Sequence, residues 1–204
     1  MSDIDDVSEL RGVYRQPGER AVKKQLDHLD VHCKHFVEQS PFFVLASSGA
    51  DGRSDASPRG GPPGFVKVLD DSRLAFGDSP GNNRLDSLTN ITAQPEVGLL
   101  FFIPGFNETL RVNGTAQSTT DVELCEALRV ERKRPASVMV VQVHEAYLHC
   151  AKSLMRSRLW DGNAQLERTA LPTMNEMITD QTGKRGTTLE SQDAMEARYE
   201  KELY

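Results

Sequence analysis

A chain of 204 residues with 38% hydrophobic and 26% charged side chains can bury one core and is too apolar to be disordered. Its formal charge of -6 argues against nucleic acid as the main partner, because phosphate backbones need clustered Lys and Arg. A small anion held in a local basic pocket remains compatible with that charge.

No apolar run approaches the ~20 residues of a spanning helix. The opening MSDIDDVSEL is acidic and lacks the apolar centre of a signal peptide, so no membrane association is expected. Cys33, Cys125 and Cys150 are far apart with no CxxC, which fits a reducing cytoplasm.

Residues 1–18 carry few apolar side chains, end in Pro17-Gly18, and read as an N-terminal arm that packs on something else. From Glu19 to Gln39 the spacing predicts one helix, with Val22, Leu26, Leu29, Cys33 and Phe36 on one face. Ser40-Pro41 stops it, since the residue before proline avoids the α region. His28, His32 and His35 share the opposite face. Three histidines so spaced can hold a metal. A solvated polar face is the better reading, and no metal is assigned.

Phe42 to Ser48 is short and rich in β-formers, a buried strand. Gly49-Ala50-Asp51-Gly52 supplies a hairpin turn, and Arg53 to Pro58 returns. Gly60-Gly61-Pro62-Pro63-Gly64 breaks that strand. Phe65 to Leu69 and Arg73 to Gly77 are strands around the turn Asp70-Asp71-Ser72. Asn82 to Ile91 is a short helix with Leu85, Leu88 and Ile91 inward, closed by Gln94-Pro95. The apolar run Val97 to Ile103 predicts a central strand buried on both faces. Thr109 to Gln117 alternates, with Leu110, Val112, Gly114 and Ala116 to one side. Asp121 caps a helix to Val130. Val138 to Cys150 is a long strand, bulged near His144-Glu145 where the alternation slips. Strands this close, with few helices between them, favour a mostly antiparallel barrel over a βαβ fold.

Beyond Cys150, Lys152 to Trp160 is basic and helical in pattern. Leu171-Pro172 opens a short helix through Ile178, and Gly183 to Gly186 is a loop. Thr187 and Glu190 have capping-box spacing before a last helix ending near Leu203. This tail has too little apolar surface to fold alone. It is expected to wrap the barrel or a second subunit.

No G-x-S-x-G, H-E-x-x-H or Walker A loop is present, and no G-x-G-x-x-G follows a strand. Cys150, near His144 and His149, could be a nucleophile; a small buried hydrophobe is the commoner role. What stands out is an anion site. Arg59 lies at a strand end, where its guanidinium can fork onto a phosphate. Asn82 and Asn83 sit where a helix begins, and free backbone amides there favour an anion. Arg84 lies in the first turn, where a cation opposes the helix dipole unless an anion sits beside it. Either arginine alone would read as solvated surface charge. Together, each flanking a glycine-rich turn, they point to a bound anion.

The stretches FFVLASSGADGRSDASPRG, GFVKVLDD, LAFGDSPGNNRLDSLTNI, VGLLFFIPG, TLRVNG and LHCAKSLMRSRLW, in this order across most of residues 20–160, resemble the pyridoxamine 5'-phosphate oxidase-related, FMN-binding split-barrel family. The resemblance implies a mainly β fold with flanking helices, a six-stranded antiparallel split barrel at 19–160; the C-terminal helical extension at 161–204 adds little to the match. It implies a homodimer with FMN at the subunit interface. Arg59 takes the place of the family's phosphate-binding arginine. Gly77 and Asp78 lie along the ring or ribityl chain. Asn82, Asn83 and Arg84 replace a Ser/Arg/Lys phosphate cluster, a departure that puts two asparagines where relatives have stronger donors. Thr109 and Arg111 lie on the strand facing the flavin's pyrimidine edge, and Lys152, Arg156 and Trp160 come from the partner chain. Trp160 reads equally as interface packing.

The C-terminal arginine-and-histidine pair that holds substrate in true pyridoxamine-phosphate oxidases is not found. The resemblance therefore implies a cytoplasmic FMN-dependent oxidoreductase for another small organic substrate, with NADH or NADPH as electron source. The alternatives are a non-catalytic flavin carrier or sensor, and a split barrel binding haem or a deazaflavin.

Overall fold

The computed structural model describes residues 4–78, 81–131, 133–183 and 190–203. Seven strands form one antiparallel sheet: β1 Phe42–Ser48, β2 Ser54–Gly60, β3 Val66–Val68, β4 Arg73–Gly77, β5 Glu96–Phe102, β6 Thr109–Thr119 and β7 Val138–His149. Their order is β2-β1-β5-β6-β7-β4-β3, and the two ends do not pair, so the barrel is split. Among the described residues the count is seven strands rather than six. Eight α-helices flank the sheet among the described residues: α1 Val7–Val13, α2 Glu19–Lys23, α3 Val31–Gln39, α4 Asp86–Ala93, α5 Val122–Ala127, α6 Lys152–Ser157, α7 Met174–Thr182 and α8 Gln192–Glu202. No helix among these residues is long and apolar enough to cross a membrane.

Period-two alternation puts Phe43 and Leu45 of β1, Leu99 and Phe101 of β5, and Leu110 and Val112 of β6 in the core. Phe43 is its centre, with the rings of Phe65, Phe76 and Phe101 at 5.8, 4.9 and 5.0 Å. Helix α3 closes one side with Cys33 and Val37. Burial pushes the Cys33 thiol up to about 12, which makes it an inert packing group. Helix α4 adds Ile91, and α5 covers a smaller cluster of Ala75, Cys125, Leu128 and Val138.

The expected bulge is present. Asn113 faces Glu145 while Gly114 faces Val143, which leaves His144 as the extra residue. Beyond it the phase of β7 flips: Ala146 is buried, and Glu145 and Tyr147 stand across from Asn113 and Arg111. Only glycine fits opposite, because a Cβ on Gly114 would lie 1.9 Å from the Gln142 carbonyl oxygen.

Several expectations fail. The single helix from Glu19 to Gln39 is two, α2 and α3. Between them Leu26 exchanges backbone hydrogen bonds with Ala146 at 3.0 and 2.8 Å, and Asp30 caps α3 by accepting from the Cys33 amide. Pairing to the edge of β7 overrides the helical periodicity, and Val22 is exposed. Strand β5 is fully buried on one face only; Gly98, Leu100 and Phe102 are half-buried. The helix placed at Leu171 starts at Met174 and runs to Thr182, with a capping box between Thr173 and Glu176. The predicted Thr187 box lies outside the described residues, and Ser191 caps α8. Cys150 is exposed rather than buried.

Candidate functional site

A cavity of about 940 Å³ opens between β2, the end of β4, residues 81–85, the start of α4, and residues 134–137. Arg59, Gly77, Asp78, Asn82, Asn83 and Arg84 all line it. Arg59 stands opposite Phe43 in the β1–β2 ladder. Its Nη1 donates to Asp78 Oδ1 at 3.2 Å, and the two side chains are 21% and 20% exposed. Its Nε is buried and has no hydrogen-bond partner among the described residues, an arrangement that costs about 1–3 kcal/mol unless a further acceptor is supplied.

Gly77 is needed where it stands, since a Cβ there would lie 2.8 Å from Pro135 Cβ. Asp78 donates its amide to the Ser137 carbonyl at 2.9 Å. These two contacts join β4 to residues 135–137 as one wall of the cavity.

The helix expected from Asn82 begins at Asp86, which corrects the roles of three site residues. Asn83 and Leu85 have φ of 57° and 58°, left-handed values that end any helix before Asp86. Asn82 Oδ1 accepts from the Arg84 amide at 3.1 Å, closing a turn ahead of the helix. Arg84 is outside the first helical turn and pairs with Asp86, Nε to Oδ2 at 2.8 Å. Leu85 is 53% exposed rather than inward. The asparagines therefore offer side-chain and turn amides, not helix-terminal ones.

Arg134, Asp55, Asp86 and Ser137 also line the cavity and were missed. Arg134 comes from a part of the chain with no local signal of a site. Asp86 sits beside Arg84 and could have been read as its counter-ion. With Arg59, Arg84 and Arg134 against Asp55, Asp78 and Asp86, the lining charges balance.

The remaining expected residues lie outside the cavity. Arg111 pairs with Glu145, and Asn113 Nδ2 donates to Glu145 Oε1 at 3.3 Å. Tyr147 stacks under two cations, Lys24 Nζ at 4.2 Å and the Arg111 guanidinium at 5.1 Å. His149 meets the Tyr147 ring at 4.9 Å. Burial, then the charges of Arg111 and Lys24, hold its imidazole below the usual range. Thr109 is buried beside this cluster, opposite His149. Lys152 and Arg156 are exposed on α6. Trp160 Nε1 donates to the Phe106 carbonyl at 2.7 Å, tying the end of α6 to the β5–β6 connection. His28, His32 and His35 are exposed, and no metal-binding group forms among the described residues.

Residues 29–150 match the family model described as pyridoxamine 5'-phosphate oxidase. A comparison with curated proteins found no match. Among solved structures the chain is similar to a HupZ variant from Group A Streptococcus: 16% identity over 59% of this chain and 99% of that one, TM-score 0.49. It is also similar to a candidate pyridoxamine 5'-phosphate oxidase from Lactobacillus delbrueckii, with 22% identity over 61% and 98% of the two chains and a TM-score of 0.47. An FMN-binding protein from Syntrophomonas wolfei gives 6% identity over 57% and 87%, with a TM-score of 0.44. On the family match, which spans more than half of the sequence, the chain belongs to the pyridoxamine 5'-phosphate oxidase-related split-barrel family.

Proposed function

We propose that this chain binds FMN and acts as an FMN-dependent oxidoreductase on a small organic substrate other than pyridoxamine 5'-phosphate, with NADH or NADPH as electron source. The observation that carries the reading is Arg59, a partly buried guanidinium on a cavity wall with a buried N–H that lacks an acceptor among the described residues. A phosphate monoester suits that group, because arginine presents a planar fork to phosphate oxygens. Asn82, Asn83 and Ser137 supply neutral polar groups around it, and Phe65 and Phe76 supply apolar wall. FMN, when bound, carries electrons on its own ring system. The protein's part is to hold the phosphate, orient the ring and limit solvent access.

The working unit in this proposal is a homodimer with FMN at the subunit interface. Two polar regions of one chain support it: the cavity around Arg59, and the separate region of Thr109, Arg111, Lys152, Arg156 and Trp160. A twofold assembly can bring the second region of one subunit to the cavity of the other. The half-buried outer face of β5 offers apolar surface for such a contact. Residues 19–160 form the barrel domain in this reading, with residues 1–18 as an arm and 161–204 as an extension that packs on the barrel or the partner. A cytoplasmic location without nucleic-acid or membrane partners belongs to the same proposal.

The test is to purify the protein, record its visible spectrum, and titrate FMN into flavin-free protein. Saturable binding is expected, and Arg59→Ala should weaken it by roughly 1.5–3 kcal/mol, the scale of hydrogen bonds to a charged group. An unchanged dissociation constant removes Arg59 from the site. A bound flavin that neither NADH nor NADPH reduces would favour a carrier or sensor, and a haem or deazaflavin spectrum would replace FMN.

A further inference from the structure

The guanidinium that suits a ligand phosphate is already paired within the chain. Asp78 holds Arg59 at 3.2 Å, and both side chains are largely withdrawn from solvent. Asp78 has little freedom to leave by backbone movement. Its amide is bonded to Ser137, and the preceding Gly77 lies against Pro135. The second cation, Arg84, pairs with Asp86 in a more exposed position. A phosphate entering this cavity therefore meets balanced charge, and at Arg59 it must share the guanidinium with a fixed carboxylate. Like charges a few ångströms apart repel more strongly in a partly buried site than in water.

We propose that Asp78 is an affinity-setting residue, a charge filter that weakens every phosphate at this site alike, so that only a ligand with further contacts binds at low concentration. It makes Arg59 a weak receptor for inorganic phosphate or sulphate. It reserves the cavity for a phosphate monoester whose organic part supplies the remaining binding energy against walls such as Phe65 and Phe76. The identity of that monoester as FMN rests on the function proposed above; the filter acts on any phosphate.

The experiment compares wild type, Asp78→Asn, Asp78→Ala and a charge-matched control, Asp55→Asn, which removes a carboxylate from the same cavity but not from Arg59. Inorganic phosphate, FMN and riboflavin are titrated into each by calorimetry, after circular dichroism confirms folding. Asp78→Asn keeps a hydrogen-bond acceptor for Arg59 and loses only the charge; Asp78→Ala serves if the amide disturbs folding. Removing the charge should tighten inorganic phosphate and FMN by about tenfold each, equivalent to ~1.4 kcal/mol. Riboflavin, which lacks the phosphate, should bind as before. Unchanged or weaker phosphate binding in both Asp78 variants overturns the filter, as does an equal gain in Asp55→Asn. Two outcomes separate this inference from the flavin reading. Tighter phosphate binding with no FMN binding by any protein sinks FMN and keeps the filter. FMN binding that is identical in wild type and both Asp78 variants sinks the filter and keeps FMN.

Discussion

Gly77→Ala tests whether the cavity wall is as rigid as its contacts require. The new Cβ would lie 2.8 and 2.9 Å from Cβ and Cγ of Pro135, against 3.4 Å or more for ordinary contact. A proline ring has no alternative rotamer into which it can withdraw. Relief must come from moving residues 134–137 away from β4, or from bending β4 itself. Overpacking of this kind costs about 1–3 kcal/mol. If the wall separates, the bond from the Asp78 amide to Ser137 is lost as well, adding about 0.5–1.5 kcal/mol. The expected loss is therefore about 1.5–4.5 kcal/mol, read as a lower urea midpoint at unchanged slope. FMN affinity should fall in the same variant, because Gly77 and residues 134–137 line the cavity and its wall is displaced. A loss below about 0.5 kcal/mol with wild-type FMN affinity would show that residues 134–137 are not a fixed wall, and the reasoning would fail.

Other expectations follow from the same contacts. Gly114→Ala should be more damaging than Gly77→Ala, because its Cβ meets backbone, the Gln142 oxygen at 1.9 Å, and the β6–β7 ladder must open at the bulge; equal urea midpoints for the two variants would contradict this. Asp30→Ala should cost about 0.5–2 kcal/mol at pH 7 through loss of the α3 cap. The Cys33 amide holds the Asp30 carboxyl below its ordinary value of 3.8. Its stabilisation is therefore complete above that value and lost as pH falls through the lower folded one, so the gap between wild type and variant should close on acidification. A gap independent of pH would mean the carboxylate charge plays no part. Trp160 is the lone tryptophan; if the partner's α6 region approaches the flavin, saturating FMN should quench its fluorescence, and unchanged emission would leave Trp160 as packing only.

The fold was legible where the signal was local. The bounds of β1 and β4, the hairpin turn at Gly49–Gly52 and the bulge beside Glu145 follow from period-two alternation and turn chemistry, which neighbours in sequence largely determine. The failures have two causes, a partner far along the chain and a local turn or cap that competes with the pattern. Leu26 has helical spacing with Leu29 and Cys33, yet its backbone pairs with Ala146. Asn82 looks like a helix start, yet the left-handed turn at Asn83 and Leu85 delays the helix to Asp86. The Thr173–Glu176 capping box was visible as a T-x-x-E pattern; Leu171-Pro172 drew attention to the wrong start. At the site, Arg59, Asp78 and Asn82–Arg84 could be chosen one by one from glycine-rich turns. The ion pair between Arg59 and Asp78 could not, since it depends on which strand ends meet across the cavity. Arg134 reaches the same wall from a segment that local pattern leaves featureless.

The most direct test of the central claim is an FMN titration of the wild-type protein beside Arg59→Ala, followed by flavin fluorescence. Saturable wild-type binding at micromolar concentrations, weakened roughly ten- to a hundredfold by the substitution, is the predicted result. No binding to the wild type, or the same dissociation constant for both proteins, would contradict it.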